Sequence, residues 1–280
     1  MLTADGVRPL GAHDSAAVRA VLDTDPVANV FVTARLQAAG FDPRRLGVQL
    51  WGYSVGGPLE SLCYAGPNLI PICATPSAAR AFADRAAGQA RMCSSIVGPQ
   101  EAVERLWQRL REVWPPARDV RTGQPLLVTS VNPSVPGDPR VRRVTLPEVD
   151  TLLPAAVRMY TEEVGVSPIG HDGGAGYRGR VLELIRMGHS FARIDNGEVV
   201  FKAEVGAATR HACQLQGVWV APRMRGRGIG TAGMATVVAE VLRTVAPVAS
   251  LYVNAHNTAA RRAYERVGFS PTGAFMSVLF

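Results

Sequence analysis

A chain of 280 residues and 29.8 kDa is about twice the common single-domain length, so two domains are expected. With 47% hydrophobic and 19% charged residues it has material for a core and is not a disordered chain. The net charge of +7 is unevenly spread: residues 1–140 carry 14 basic and 12 acidic side chains, whereas 202–266 carry nine against three. That points to an anionic ligand held by one segment, not to a generally basic surface.

No apolar run reaches the ~18 residues of a bilayer span; the best stretch, 232–253, is broken by Glu240, Arg243 and Pro247. Residues 1–10 lack the basic head and apolar stretch of a secretory signal, so a cytoplasmic protein is expected. Cys63, Cys73, Cys93 and Cys213 form no Cys-x-x-Cys pair, and no histidine stands at zinc-ligand spacing. Buried thiols in a reducing compartment and no metal site are therefore expected. Of the 30 basic residues only Lys202 is lysine.

In chain order, Asp14 caps a helix running to about Leu22, and a second helical pattern covers 29–39. Apolar stretches at 48–55, 61–65 and 69–73 read as strands, punctuated by glycine and proline. A strand at 92–97 meets a helix entry at Gly98 and Pro99, after which Val103, Leu106, Trp107, Leu110, Val113 and Trp114 share one helical face. Pro133, Pro136, Gly137 and Pro139 exclude helix or central strand over 131–139. This is the expected linker between an N-terminal α/β domain (1–130) and a C-terminal domain (140–280).

Beyond it come a strand at 141–145, a helix over 147–164, a glycine-rich loop at 170–176 and a helix around 181–187. Strands at 190–195 and 198–206 flank Asn196 and Gly197, a strong two-residue hairpin turn. A strand at 213–220, a helix at 231–245, a strand at 250–253, a helix at 258–266 and a last strand at 277–280 complete the series. The two halves share a rough order of elements, but their residues do not align as a repeat. Duplication stays open at this level.

The most informative segment is 218–231. A strand ends near Val220, a loop carries Arg223, Arg225 and Arg227, and Gly226, Gly228 and Gly230 lead into a helix. Glycines let consecutive amides converge on an anion, and a helix N-terminus adds positive potential. A nucleotide-triphosphate P-loop is excluded, because the required Gly-Lys-Ser/Thr is missing. Gly228, Gly230 and Gly233 match the dinucleotide fingerprint in spacing, yet no acid follows between Glu240 and Glu265 to take a ribose. A nucleic-acid surface would want interleaved aromatics or a helix-turn-helix pattern, and neither is present.

Arg225, Gly228 and Gly230 resemble the Arg/Gln-x-x-Gly-x-Gly/Ala acyl-CoA loop of the GNAT superfamily of N-acetyltransferases. Asn257, Ala260, Tyr264, Gly268 and Phe269 are similar to that family's second cofactor motif. The likeness covers 141–280, and the length resembles two-domain actinobacterial GNAT proteins with a poorly characterised N-terminal half. It implies a mixed, mostly antiparallel sheet with helices on both faces, the first half being a candidate degenerate copy. In that copy Val97, Gly98, Pro99 and Gln100 would occupy the turn analogous to the phosphate loop.

The resemblance also implies that acetyl-CoA enters a gap between strands 216–220 and 250–254. Val218 and Val220 would meet the pantetheine, the Val218 amide serving as oxyanion donor. Amides of Arg225, Gly226, Arg227, Gly228, Ile229, Gly230 and Thr231 would take the pyrophosphate, and Asn257 would cap the last helix and touch the pantetheine arm. Tyr264 would protonate the departing thiolate, a step uphill by about 2 kcal/mol for a phenol near pKa 10 and a thiol near 8.5 unless concerted.

A glutamate that some members place eleven residues before the loop is here Gln214, which takes no proton. Glu204 is the chosen general base, with His211, Glu162, Glu163 or a water chain as alternatives. The expected reaction is direct acyl transfer to a primary amine of a small molecule or peptide, a weakly basic α-amine being favoured, by a monomer or homodimer. A catalytically silent acyl-CoA sensor of the same fold is the alternative. Trp219 should pack, and Glu162 and Glu163 should lie on a solvated helix face.

Overall fold

The computed structural model describes residues 6–41 and 43–280. Its elements are β1 (Val7–Pro9), α1 (Ser15–Leu22), α2 (Val30–Ala39), α3 (Pro43–Leu46), β2 (Gln49–Tyr53), β3 (Ser61–Ala65), β4 (Asn68–Ile72), α4 (Pro76–Ala87), β5 (Ser95–Pro99), α5 (Gln100–Leu110) and β6 (Asp119–Thr129). Then follow β7 (Arg142–Arg143), α6 (Val149–Val164), α7 (Ala175–Arg186), β8 (Ser190–Asp195), β9 (Glu198–Ala208), β10 (Cys213–Val220), α8 (Ile229–Thr244), β11 (Ala249–Tyr252), α9 (Thr258–Val267) and β12 (Ser270–Leu279). Among the described residues no helix is long and apolar enough to cross a membrane.

The chain divides into two compact units. One comprises Met1–Leu127, Tyr252–His256 and Pro271–Phe280, the other Val128–Leu251 and Asn257–Ser270. A cut at the proline-rich segment would therefore sever the last strand from the unit that holds it. In the first unit, β1 to β4 are successively antiparallel, β4 and β5 are parallel, and β12 is antiparallel to β5 with Ser277 opposite Val97. Residues alternate between the faces of this sheet. Leu50, Leu62, Tyr64 and Ile72 pack with α1 and α2, while Trp51, Cys63 and Leu69 pack with α4 and α5.

The second unit repeats the order. β7, β8, β9 and β10 are successively antiparallel, and β10 and β11 are parallel. α8 links the parallel pair as α4 does in the first unit, and α9 follows β11 as α5 follows β5. Trp219, Val199 and Ala192 pack under α6 and α7. Against β9 lies α8, and Gly233 is there for that contact: an added Cβ would sit 2.8 Å from the Phe201 ring. Residues 131–139 are no free tether. Asp138 donates its amide to Ala232 and accepts from the Thr236 hydroxyl through its carbonyl, while its carboxylate meets Arg193 at 3.0 Å.

Matching the halves by pairing corrects one expectation. The equivalent of the β10-to-α8 turn is the β4-to-α4 turn at Cys73, Ala74 and Thr75, whereas 97–100 corresponds to the β11-to-α9 connection. The first unit's turn contains no glycine, and Thr75 Oγ1 already accepts from the Ala78 amide. Four elements have no counterpart in the sequence reading: β1, α3, α4 and β6. α4 is mostly alanine around Phe82, which gives weak periodicity, and β6 contains Gly123 and Pro125, which read as punctuation.

Candidate active site

β10 carries the first part of the site. Gln216 opposes Glu204 and Trp219 opposes Lys202, so Gly217 and Val218 together face the single residue Ala203 on β9. This is a β-bulge, which bends its strand. Gly217 lies at φ +60, and a Cβ there would fall 2.9 Å from both Lys202 Nζ and Glu204 Cδ, so both conformation and space require glycine. The parallel pairing joins Cys213 to Ala249 and Gln214 to Ser250, at the start of both strands, while β10 runs on to Val220. Trp219 is buried, as packing requires, and Val218 and Val220 are partly exposed.

The turn after β10 begins with Pro222–Met224 and passes through Gly226 and Gly228 at φ +74 and +76. Those values are strained for any residue with a Cβ. Nothing lies within 4 Å of where a Cβ would stand at either glycine. Gly228 is the N-cap of α8 and supplies no side-chain hydrogen bond to its first amides. By contrast, Asn257 caps α9 by accepting from the Ala260 amide at 3.1 Å. The α8 terminus therefore keeps its amide donors and an open cradle above two glycines, the donor set and space that a pyrophosphate fits.

Of the loop arginines, Arg223 is paired with Glu198. Arg225 donates to the Val220 carbonyl at 3.0 Å and to Glu162 at 2.6 Å. Arg227 is exposed and makes no ion pair among the described residues. Glu162 does more than face solvent, for its other oxygen accepts from the Trp219 indole at 3.2 Å. It joins the end of α6 to β10 and to the turn that follows it.

Tyr264 stands on the inner face of α9, 7% exposed, its ring edge-on to Phe269. Burial pushes its phenol well above the ordinary value, and the charge of Glu163 adds to that. A carboxylate at the end of α6 thus acts electrostatically on the candidate acid.

The candidate bases sit in different settings. Glu204 is nearly buried, with Oε2 accepting from Lys202 Nζ at 3.0 Å and Oε1 from Gln216 at 3.1 Å. Gln214 is buried at the paired start of β10. His211 lies in the β9–β10 turn, where its Nε2 accepts from Arg210. It stands seven residues from Val218, roughly 20 Å along an extended strand, which removes it as a base for chemistry at that amide. Lys202, Gly217 and the double contact of Glu162 are what the sequence reading missed. Only the uniqueness of Lys202 among 29 arginines signalled it. Among the described residues no group of His, Cys, Asp and Glu could hold a metal ion.

Residues 177–269 match the model of the acetyltransferase (GNAT) family, and residues 48–152 that of a domain of unknown function, DUF4081. No curated protein matches the sequence. Similar solved structures include an acetyltransferase of the GNAT family from Colwellia psychrerythraea, 14% identical over 98% of this chain and 99% of that one, with a TM-score of 0.58. A GCN5-related N-acetyltransferase from Sphaerobacter thermophilus is 16% identical over 99% and 96%, at 0.55. A tandem GNAT protein from the clavulanic acid biosynthesis pathway is 14% identical over 97% of both chains, also at 0.55. At such identities the likeness is one of fold.

Proposed function

The second half of this chain carries a GNAT acetyltransferase domain, and from that premise we propose an acyl-CoA-dependent N-acyltransferase, using acetyl-CoA and acting on a primary amine. The observation that carries the proposal is the turn into α8: two left-handed glycines with open space above them, an uncapped helix terminus and a neighbouring exposed Arg227. The amides from Arg225 to Thr231 hold the pyrophosphate, and the exposed backbone of Val218 and Val220 holds the pantetheine. When bound, acyl-CoA supplies the activated thioester. The Val218 amide donates to the carbonyl oxygen as charge develops on it.

Tyr264 donates toward the leaving sulfur. Its raised pKa keeps the proton on the phenol at any working pH, so it acts as a hydrogen-bond donor whose transfer is concerted with bond cleavage. For the base we favour Glu163 over Glu204. Glu163, at the end of α6, is the carboxylate whose charge reaches Tyr264, and Glu204 is held by Lys202 and Gln216. Deprotonating a lysine-like amine of pKa ~10.4 at pH 7 costs roughly 4–5 kcal/mol, so an α-amine near 7.7–8 suits so lightly equipped a site. The corresponding turn of the first unit lacks glycine and is capped by Thr75, so that turn does not offer the same cradle.

The occupation of Glu204 also favours a second reading, a silent acyl-CoA sensor. Calorimetry with acetyl-CoA, coupled to a free-CoA release assay across amino acids, polyamines, aminoglycosides and peptide N-termini, separates the two. Binding with release supports the enzyme, and binding without release from any amine supports the sensor. No binding removes both.

A further inference from the structure

The chain's one lysine is completely buried. Lys202 is 0% exposed on β9, and its ammonium donates to Glu204 at 3.0 Å and to the Gly217 carbonyl at 2.9 Å. A buried ammonium is costly unless paired and hydrogen-bonded, and a residue in a strand facing a helix layer would ordinarily be apolar. Arginine fills the other 29 basic positions, and lysine, a compact point donor, stands at the one that meets both a carboxylate and a backbone carbonyl while fully buried.

The carbonyl that Lys202 holds belongs to the bulge. Gly217 and Val218 are the two residues set against Ala203, so the regular ladder is interrupted there. Lys202 and Trp219 are opposed in register on one side of the interruption, and Glu204 and Gln216 on the other. The contacts Lys202 to Gly217, Lys202 to Glu204 and Gln216 to Glu204 close over it. The peptide whose carbonyl is gripped is the one that ends in the Val218 amide. Its orientation is thereby fixed.

We propose that Lys202 is a positioning residue that, with Glu204 as its counter-ion, clamps the Gly217 peptide of the β10 bulge and so aims the Val218 amide into the acyl-CoA groove. The inference rests on the acyl-CoA reading above. It also gives Glu204 a different task from proton removal.

Amide hydrogen exchange of the unliganded full-length protein reads the clamp directly, and calorimetry with acetyl-CoA reads its consequence. Lys202→Met should speed exchange at the β10 ladder amides flanking the bulge, 215–216 and 219–220, by about tenfold or more and weaken acetyl-CoA binding by about tenfold, since an unfixed wall must be ordered on binding. Exchange in β8 should stay as in the wild type. If the single variant is loosened throughout, Lys202→Met with Glu204→Gln removes both charges together and gives the same two readings.

Glu204→Gln alone should move exchange at 215–216 and 219–220 and acetyl-CoA affinity in the same direction. Unchanged exchange and affinity in the lysine variants, with wild-type protein that binds acetyl-CoA, would overturn the clamp. So would a Glu204→Gln protein that loses turnover while exchange and affinity hold, because that is how a base behaves. Wild-type protein that does not bind acetyl-CoA refutes the acyl-CoA reading instead, and the exchange measurement still tests the clamp.

Discussion

Gly228 concentrates the case for a phosphate site into one position, and two substitutions there separate backbone strain from ligand charge. At φ +76, any side chain meets the left-handed penalty of about 1–2 kcal/mol. No atom lies within 4 Å of the added Cβ, so no clash with the protein adds to it. Gly228→Ala should therefore lower stability by about 1 kcal/mol, a fall in Tm of roughly 2–4 °C. Gly228→Glu suffers the same strain but places a carboxylate at the N-terminus of α8, which returns about 0.3–1 kcal/mol.

Both variants should thus be folded. Their ligand affinities should differ sharply. A carboxylate about 4 Å from a phosphate charge, at an effective dielectric of ~20, opposes binding by about 4 kcal/mol, or nearly a thousandfold. Calorimetry with acetyl-CoA, alongside thermal unfolding of each variant, measures both effects. A folded Gly228→Glu protein that binds acetyl-CoA within threefold of wild type would show that no phosphate rests on this turn.

Replacing Tyr264 by Phe should reduce turnover by about 10²-fold while leaving acetyl-CoA affinity within about twofold, as steady-state kinetics and calorimetry would show. Because the Tyr264 pKa is raised, the pH–rate profile should show no fall from this residue up to about pH 10; a basic limb below that which disappears in the Phe variant would contradict the assignment. His189 has its pKa lowered by burial and by the charges of Arg143 and Arg180. Its stabilising share is present above the unfolded value of ~6.5 and is lost as pH falls toward the folded value, so His189→Gln should flatten the slope of urea-unfolding free energy between about pH 7 and 5, which for one group is at most about 1.4 kcal/mol per pH unit. Asp138→Ala leaves the buried Arg193 with Asp195 alone and should cost about 2–3 kcal/mol, read as a lower urea midpoint; a change under about 0.5 kcal/mol would mean that the pair does not anchor the segment.

What the sequence disclosed and what it hid divide by physical cause. The Asn196–Gly197 hairpin, the glycine turn and the apolar face of α8 are local signals, written within a few neighbouring residues, and they appear where expected. Strand β12 begins seven residues earlier than its apolar end indicates, because its first half is exposed and contains Pro271 and Gly273, so no apolar alternation marks it. The Lys202 cluster is non-local. It depends on a register shift that places position 202 opposite 219, and no spacing rule foretells a bulge. Glu204 stands out in the sequence as an acid on a neighbouring strand, but the engagement of both its oxygens depends on the same register shift.

The placement of β12 bears on how this protein is made. The strand beside β5 is supplied by β12, far along the chain, so a unit whose other strands are made early must wait for it. Until β12 is made, β5 presents an unpaired edge, open to mispairing with another nascent chain. An expression fragment stopped at the proline-rich segment would make that interim state permanent. Separating the two units by truncation would leave that edge exposed, and point substitutions in the intact chain are the safer tool.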